Sequence, residues 1–253
     1  MAVRLMVVVA HPDDETFGCG SLLLHAAAAG AATAVVCATR GEAGEPAPGS
    51  GVTAAELPAV RERELRAAAE LLGVSRVDLL GLADSGMDGP AGPGTLVGAD
   101  PADVAERVLA RIEDFRPDVV VTLDAGDGHR DHAAIRDATL AAVRRATTPI
   151  RKVYLYCLPQ TLMRRWLAHL AGANPDSPYL EAEVPGTPDA DITTVVDTSA
   201  HLAGREKAIA HHASQVSPFE GMPAELRRAF LTADHLRRVV PAWDGGPRES
   251  GVL

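Results

Sequence analysis

Along this chain, short and mostly apolar runs alternate with stretches in which apolar residues recur every three or four positions. The runs are residues 5–10 (Leu-Met-Val-Val-Val-Ala), 33–38, 77–80, 119–123 and 152–157. Each is Val-rich or otherwise apolar and too short for a helix, so each predicts a strand. Residues 21–29, 56–72, 101–115 and 131–146 carry the helical spacing. Gly30 and Gly73 end the first two, and Asp100-Pro101 supplies a cap and a first-turn proline for the third. Strands that are apolar on both faces and alternate with helices predict an α/β fold, a Rossmann-like, mostly parallel sheet covered on both sides.

Two Gly- and Pro-rich stretches, 39–54 and 84–98, follow the second and third strands. Long loops inside a compact domain are usually functional or disordered. Beyond Pro159 the pattern loosens into a helix over 161–171, a Pro-rich loop, a strand over 192–196 and a helix over 200–214. There is no internal repeat and no stretch that reads as a linker. We therefore read residues 1–253 as one domain, whose part from about 159 onward completes the pocket.

Composition narrows the function classes. Twenty-four Lys and Arg stand against 34 Asp and Glu, a formal net charge of −10. That balance disfavours nucleic acid or an anionic membrane as partner. No apolar run is long enough to span a bilayer, and the start of the chain lacks the pattern of a signal peptide. Cys19, Cys37 and Cys157 are far apart and form no CxxC, so they read as reduced thiols. These features predict a cytoplasmic protein acting on a small molecule, either alone or as a homo-oligomer.

The chemistry lies where two of the strands end. Residues 5–10 run straight into His11-Pro12-Asp13-Asp14-Glu15, and residues 119–123 into Asp124-Ala125-Gly126-Asp127-Gly128-His129-Arg130-Asp131-His132. Crowded acids repel one another and lose hydration on burial unless a cation or proton compensates them. With strand order 3-2-1-4-5, the first and fourth strands are neighbours at the switch point where ligands bind. The two clusters then face each other. Imidazoles and carboxylates without thiolate suit Zn2+, with Fe2+ as competitor. A catalytic zinc keeps three protein ligands and an open position, and His11, Asp14 and His132 could supply the three. Asp13 and His129 would then remain nearby for proton transfer and charge stabilisation, which is the layout of metal-assisted hydrolysis.

At this point the chain resembles the GlcNAc-phosphatidylinositol de-N-acetylase family, the LmbE-like zinc deacetylases. Ala10-His11-Pro12-Asp13-Asp14-Glu15 and His129-Arg130-Asp131-His132 match its two most specific motifs. Thr39 to Gly44, Arg61 to Leu65, and His212-Ala213-Ser214-Gln215 resemble further family segments. Asp84-Ser85-Gly86-Met87 is similar to a segment of the mycothiol-pathway branch.

The resemblance implies the LmbE-like fold and zinc on His11, Asp14 and His132. It implies Asp13 as general base, His129 facing the carbonyl oxygen, and Asp131 orienting a histidine, His129. Arg61 and Asp84, with Glu42 beside them, are implied to contact the substrate, an N-acetylated glucosamine-type sugar or conjugate. Arg130 stands where the family more often carries Pro, and its expected part is only to connect the two histidines.

HPDDE alone could be a helix start, since acids and Pro suit the first turn. Gly18-Cys19-Gly20 suggests a dinucleotide loop but lacks the third glycine, because residue 23 is Leu. Within the class, the runner-up is an amidase cutting a larger acyl group, such as that of a thiol–sugar conjugate. From another class, a phosphoester hydrolase would use a second metal at Asp124 or Asp127.

Overall fold

In a computed structural model, residues 2–175, 180 and 183–253 are described. The five expected strands are present as β1 (Arg4–Val9), β2 (Ala32–Cys37), β3 (Arg76–Leu79), β4 (Val119–Leu123) and β5 (Lys152–Cys157). They form a parallel sheet in the order β3-β2-β1-β4-β5. Val7, Val8, Val35, Val36, Val120 and Val121 are fully buried, which is why these strands show no polar alternation. The helices between them are α1 (Asp14–Phe17), α2 (Gly20–Ala28), α3 (Leu57–Leu71), α4 (Pro101–Phe115) and α5 (Arg130–Arg145), and α6 (Gln160–Ala173) follows β5.

The Asp100 side chain accepts the Ala102 N–H at 2.9 Å and so caps α4, with Pro101 in its first turn. The His129 ring does the same for α5, accepting the Asp131 N–H at 3.2 Å. Among the described residues no helix is long and apolar enough to cross a membrane.

The C-terminal third departs from expectation. The strand expected at 192–196 is β6 (Thr194–Asp197), and the helix expected at 200–214 is shorter, α7 (Leu202–Ile209). Past Ile209 the chain turns, and His212 and Ser214 bond to Glu15 and Glu64. Two further elements are α8 (Ala224–Leu231) and β7 (Ala233–Val240). β7 runs antiparallel between β5 and β6 and extends the sheet to seven strands. Its sequence, ADHLRRVV, hides a strand because its buried positions include Asp234 as well as Leu236. Asp234 faces the wholly buried Arg205 of α7 at 3.5 Å, and Arg205 also donates to the carbonyls of Phe17 and Gly18. Part of the Pro-rich loop expected after residue 171, namely 176–179 and 181–182, lies outside the described residues.

Candidate active site

HPDDE occupies the turn from β1 into α1. Asp13 has φ 126°, a backbone region that residues other than glycine rarely adopt. Its neighbours hold it there. The Asp13 N–H donates to Glu15 Oε2 at 2.9 Å. Arg61 Nη2, from α3, donates to Asp13 Oδ2 at 3.0 Å and to the Pro12 carbonyl at 2.7 Å. Arg61 Nη1 reaches the Gly41 carbonyl at 3.1 Å. Gly41 has φ 67°, and a Cβ there would lie 2.0 Å from Arg61 Nη1, so only glycine lets the loop after β2 lie against this guanidinium.

The three acids separate to three different partners. Asp13 meets Arg61. Asp14 accepts the His11 N–H at 2.8 Å through Oδ2, and its Oδ1 lies 3.3 Å from His132 Nε2. Glu15, fully buried, lies 2.8 Å from His212 Nε2 in the segment after α7.

His11 Nδ1 lies 3.6 Å from Asp14 Oδ2, while its Nε2 lies 3.1 Å from Asp131 Oδ2 and 3.5 Å from Asp84 Oδ1. His132 Nδ1 lies 2.6 Å from Asp127 Oδ2. Each ring is thus held from behind by a carboxylate, the arrangement that orients metal-binding imidazoles. The nitrogens left over converge on Asp14. Two imidazoles and a carboxylate, each backed in this way, fit a divalent cation of the zinc or ferrous type. Ring nitrogens of His11, His129 and His132, and a donor set from His11, Asp84 and Asp131, also lie within 4.8 Å of one another. In the first of these sets His129 Nδ1 caps α5, and in the second His11 Nε2 already faces both carboxylates. Those uses favour the set that includes Asp14.

Charge follows the same geometry. Burial pulls His132 down, but Asp14 and Asp127 more than offset it and push it up to about 11. Burial likewise opposes the charge on His11, whose contacts with Asp131, Asp84 and Asp14 push it up to about 9. For Asp14, burial favours the neutral acid, yet His132 and His11 hold it well below the usual carboxylate range. Burial pushes Asp13 up to about 6 against the opposing pull of Arg61. His129 is held below the ordinary imidazole value by burial and by His11 and His132. A neutral His129 that accepts at Nδ1 carries its proton on Nε2, as a donor.

Several expectations change at atomic detail. The Asp131 carboxylate orients His11, not His129; only its backbone N–H meets His129. It also accepts the Ser85 N–H at 3.0 Å. Arg130 does more than join two histidines. Its guanidinium donates to the carbonyls of Gly86 and Asp88 at 2.7 Å, of Gly89 at 2.8 Å, and of Ser85. This fastens the loop after β3 that carries Asp84.

Arg61 is only 4 % exposed and supports Asp13 and two loops, so it lies beneath the site and not along its wall. The Glu42 carboxylate accepts the backbone N–H groups of Arg40 and Asp84, so it too braces loops. Asp84, expected at the substrate, stands beside His11, with Oδ1 3.5 Å from its Nε2. Asp124 meets Arg237 at 2.8 Å and the Thr187 hydroxyl at 2.5 Å, while Asp127 meets His132. With these partners neither acid resembles a ligand for a second metal.

The family model described as GlcNAc-PI de-N-acetylase matches residues 6–143. The chain is 34 % identical over 269 residues to the 1D-myo-inositol 2-acetamido-2-deoxy-alpha-D-glucopyranoside deacetylase of Geodermatophilus obscurus, a match covering 93 % of this chain and 92 % of the relative. Among solved structures it resembles N,N'-diacetylchitobiose deacetylase from Pyrococcus horikoshii with TM-score 0.67 at 18 % identity, over 94 % of this chain and 84 % of the other. It also resembles GalB, the 4-carboxy-2-hydroxymuconate hydratase of Pseudomonas putida KT2440, with TM-score 0.61 at 20 % identity over 99 % of each chain. The structural likenesses show the fold; one fold carries a deacetylase in one case and a hydratase in the other.

Proposed function

This chain belongs to the GlcNAc-PI de-N-acetylase family, and from that premise we propose that it hydrolyses the N-acetyl group of a glucosamine-type sugar conjugate, with zinc held by His11, Asp14 and His132. It is an N-deacetylase, as are its named relatives. The observation that carries the mechanism is the convergence of His11 Nδ1 and His132 Nε2 on Asp14, each ring backed by a second carboxylate. His11, Asp14 and His132 would hold the divalent cation, which when bound would supply Lewis acidity to the amide carbonyl and to water.

The remaining chemistry belongs to the chain. Asp13 is held beside Asp14 by Arg61, with one oxygen on the guanidinium. Its carboxylate accepts the proton of the attacking water. His129, with its proton on Nε2, donates to the oxygen that gains negative charge as the carbonyl carbon becomes tetrahedral. The proton taken by Asp13 then passes to the departing nitrogen, which leaves as a free amine with acetate as co-product. Asp84, held by Arg130's grip on its loop and by the Glu42 carboxylate at its own N–H, offers a carboxylate oxygen to a sugar hydroxyl.

The test is release of primary amine and acetate from a panel of N-acetylated glucosaminides by zinc-loaded protein, with a chelated control. The panel includes 1D-myo-inositol 2-acetamido-2-deoxy-alpha-D-glucopyranoside. The expected result is equimolar release that requires metal. Release that is equal in chelator, or absent across the panel from metal-loaded protein, would sink the proposal.

A further inference from the structure

Next to the candidate metal ligands lies a cavity of about 280 Å³ with an unusual wall. Its mouth includes Asp14, Asp127 and His132. Asp124 also lines it; the rest is mostly apolar, from Phe17 of α1, Tyr156 of β5, Trp166 of α6, Phe230 of α8, and Phe219 and Met222 of the segment between α7 and α8. On the other side, the loop after β3 places Asp84 beside His11, and Arg130 of α5 fastens that loop. The site is therefore two-sided, polar toward β3 and apolar toward β5.

An amide substrate has two ends, and they differ in chemistry. The sugar end carries hydroxyls, each of which costs about 1–3 kcal/mol if buried without a partner. A wall of aromatic and thioether groups offers few such partners. The acyl end begins at the carbonyl carbon, the atom that must lie nearest His132 and Asp14, which form the mouth of the cavity. An acetyl methyl fills only a small part of 280 Å³. Ligand pockets typically enclose most of their ligand's surface, and methionines adapt to apolar groups of varied shape.

We propose that this cavity is an acyl subsite, and that the enzyme hydrolyses glucosaminides bearing apolar N-acyl groups of several carbons in preference to N-acetyl. This rests on the deacylase reading of the metal site. The sugar lies on the polar flank, the scissile carbon at the mouth, and the hydrocarbon against Phe219, Met222 and Phe230. Water adds to the acyl carbon, the C–N bond breaks, and the products are a free amino sugar and a carboxylic acid.

The test compares kcat/KM of the zinc-loaded full chain on 1-O-inositol glucosaminides carrying N-acetyl, N-butanoyl or N-hexanoyl groups, and on a hexyl glycoside of N-acetylglucosamine. Each buried methylene contributes a factor of about four. The expected result is a rise with acyl length that reaches at least about tenfold for N-hexanoyl over N-acetyl. Met222→Trp, which narrows the cavity, should lower that ratio, whereas Met222→Leu should keep it. A ratio at or below one overturns the proposal, as does a Met222→Trp ratio equal to that of the parent. A gain confined to the hexyl glycoside would assign the cavity to the aglycone and also overturn it. Turnover of N-acetyl substrate without a gain from chain length defeats this inference alone. Turnover of none of the compounds defeats the deacylase reading with it.

Discussion

Three consecutive acids are stable side by side here because each has its own counter-charge: Asp13 has Arg61, Asp14 has His11 and His132, and Glu15 has His212. The metal the motif calls for needs to sit on only one of them. At the same scale, Arg130 is the residue whose part was not visible from its neighbours in sequence. Four of its N–H groups hold carbonyls of residues 85–89, and that loop presents Asp84. Arg130→Ala should lower kcat/KM on the order of tenfold, mostly through KM, with metal content unchanged. Arg130→Lys should recover part of the loss, because an ammonium lacks the planar fork that reaches several carbonyls at once. Steady-state kinetics with metal analysis decide this; an Arg130→Ala enzyme with parental KM would show that the grip has no functional weight. HRDH fixes the place of Arg130 in the chain, but its partners are contributed by a loop more than 40 residues away.

Between elements, one buried tie runs from the segment after α7 back to α1. His212 and Glu15 are buried together, with the Thr16 hydroxyl beside them. Burial disfavours the imidazolium, but Glu15 and Asp13 outweigh it and raise His212 above its ordinary 6.5. A histidine raised on folding contributes stability that is fully present below about 6.5 and is lost as pH rises through its folded value. Metal-free protein should therefore show Tm falling as pH increases above 6.5, with His11 and His132 adding to the fall at higher pH, and His212→Gln should lessen the slope. A parental slope in the variant would place the linkage elsewhere.

The sequence made β1, β2, β4 and β5 legible because both of their faces are buried and their runs are mostly apolar, while β3, partly buried and carrying Asp78, was readable from its place between helices. β7 was not legible, because its paired register places Asp234 and His235 among its contacts, and an acid at a buried position imitates a loop. The early end of α7 was hidden for a related reason. Nothing local stops the helix; His212 and Ser214 leave it to reach Glu15 and Glu64, more than 140 residues back.

Across the whole molecule, the doubly wound order brings the ends of β1 and β4 together, and that adjacency makes one site from two motifs. The membership of that site was readable from the motifs and strand order. Its division of labour was less so: Arg61 and Glu42 brace loops, Asp131 orients His11, and Asp127 backs His132. Those assignments depend on which atom each side chain faces, and spacing along the chain does not record that. The apolar cavity was equally hidden, since it gathers residues from α1, β5, α6, α8 and the segment after α7.

Within the pair Asp13-Asp14, the proposed division is that one acid holds metal and the other moves protons. The most direct measurement is zinc content and turnover of Asp13→Asn, alongside His132→Ala. The predicted result is one zinc per chain in Asp13→Asn with kcat lower by on the order of 10²-fold or more, and loss of bound zinc in His132→Ala. Near-parental turnover in Asp13→Asn with its metal in place, or a full complement of zinc in His132→Ala, would contradict it.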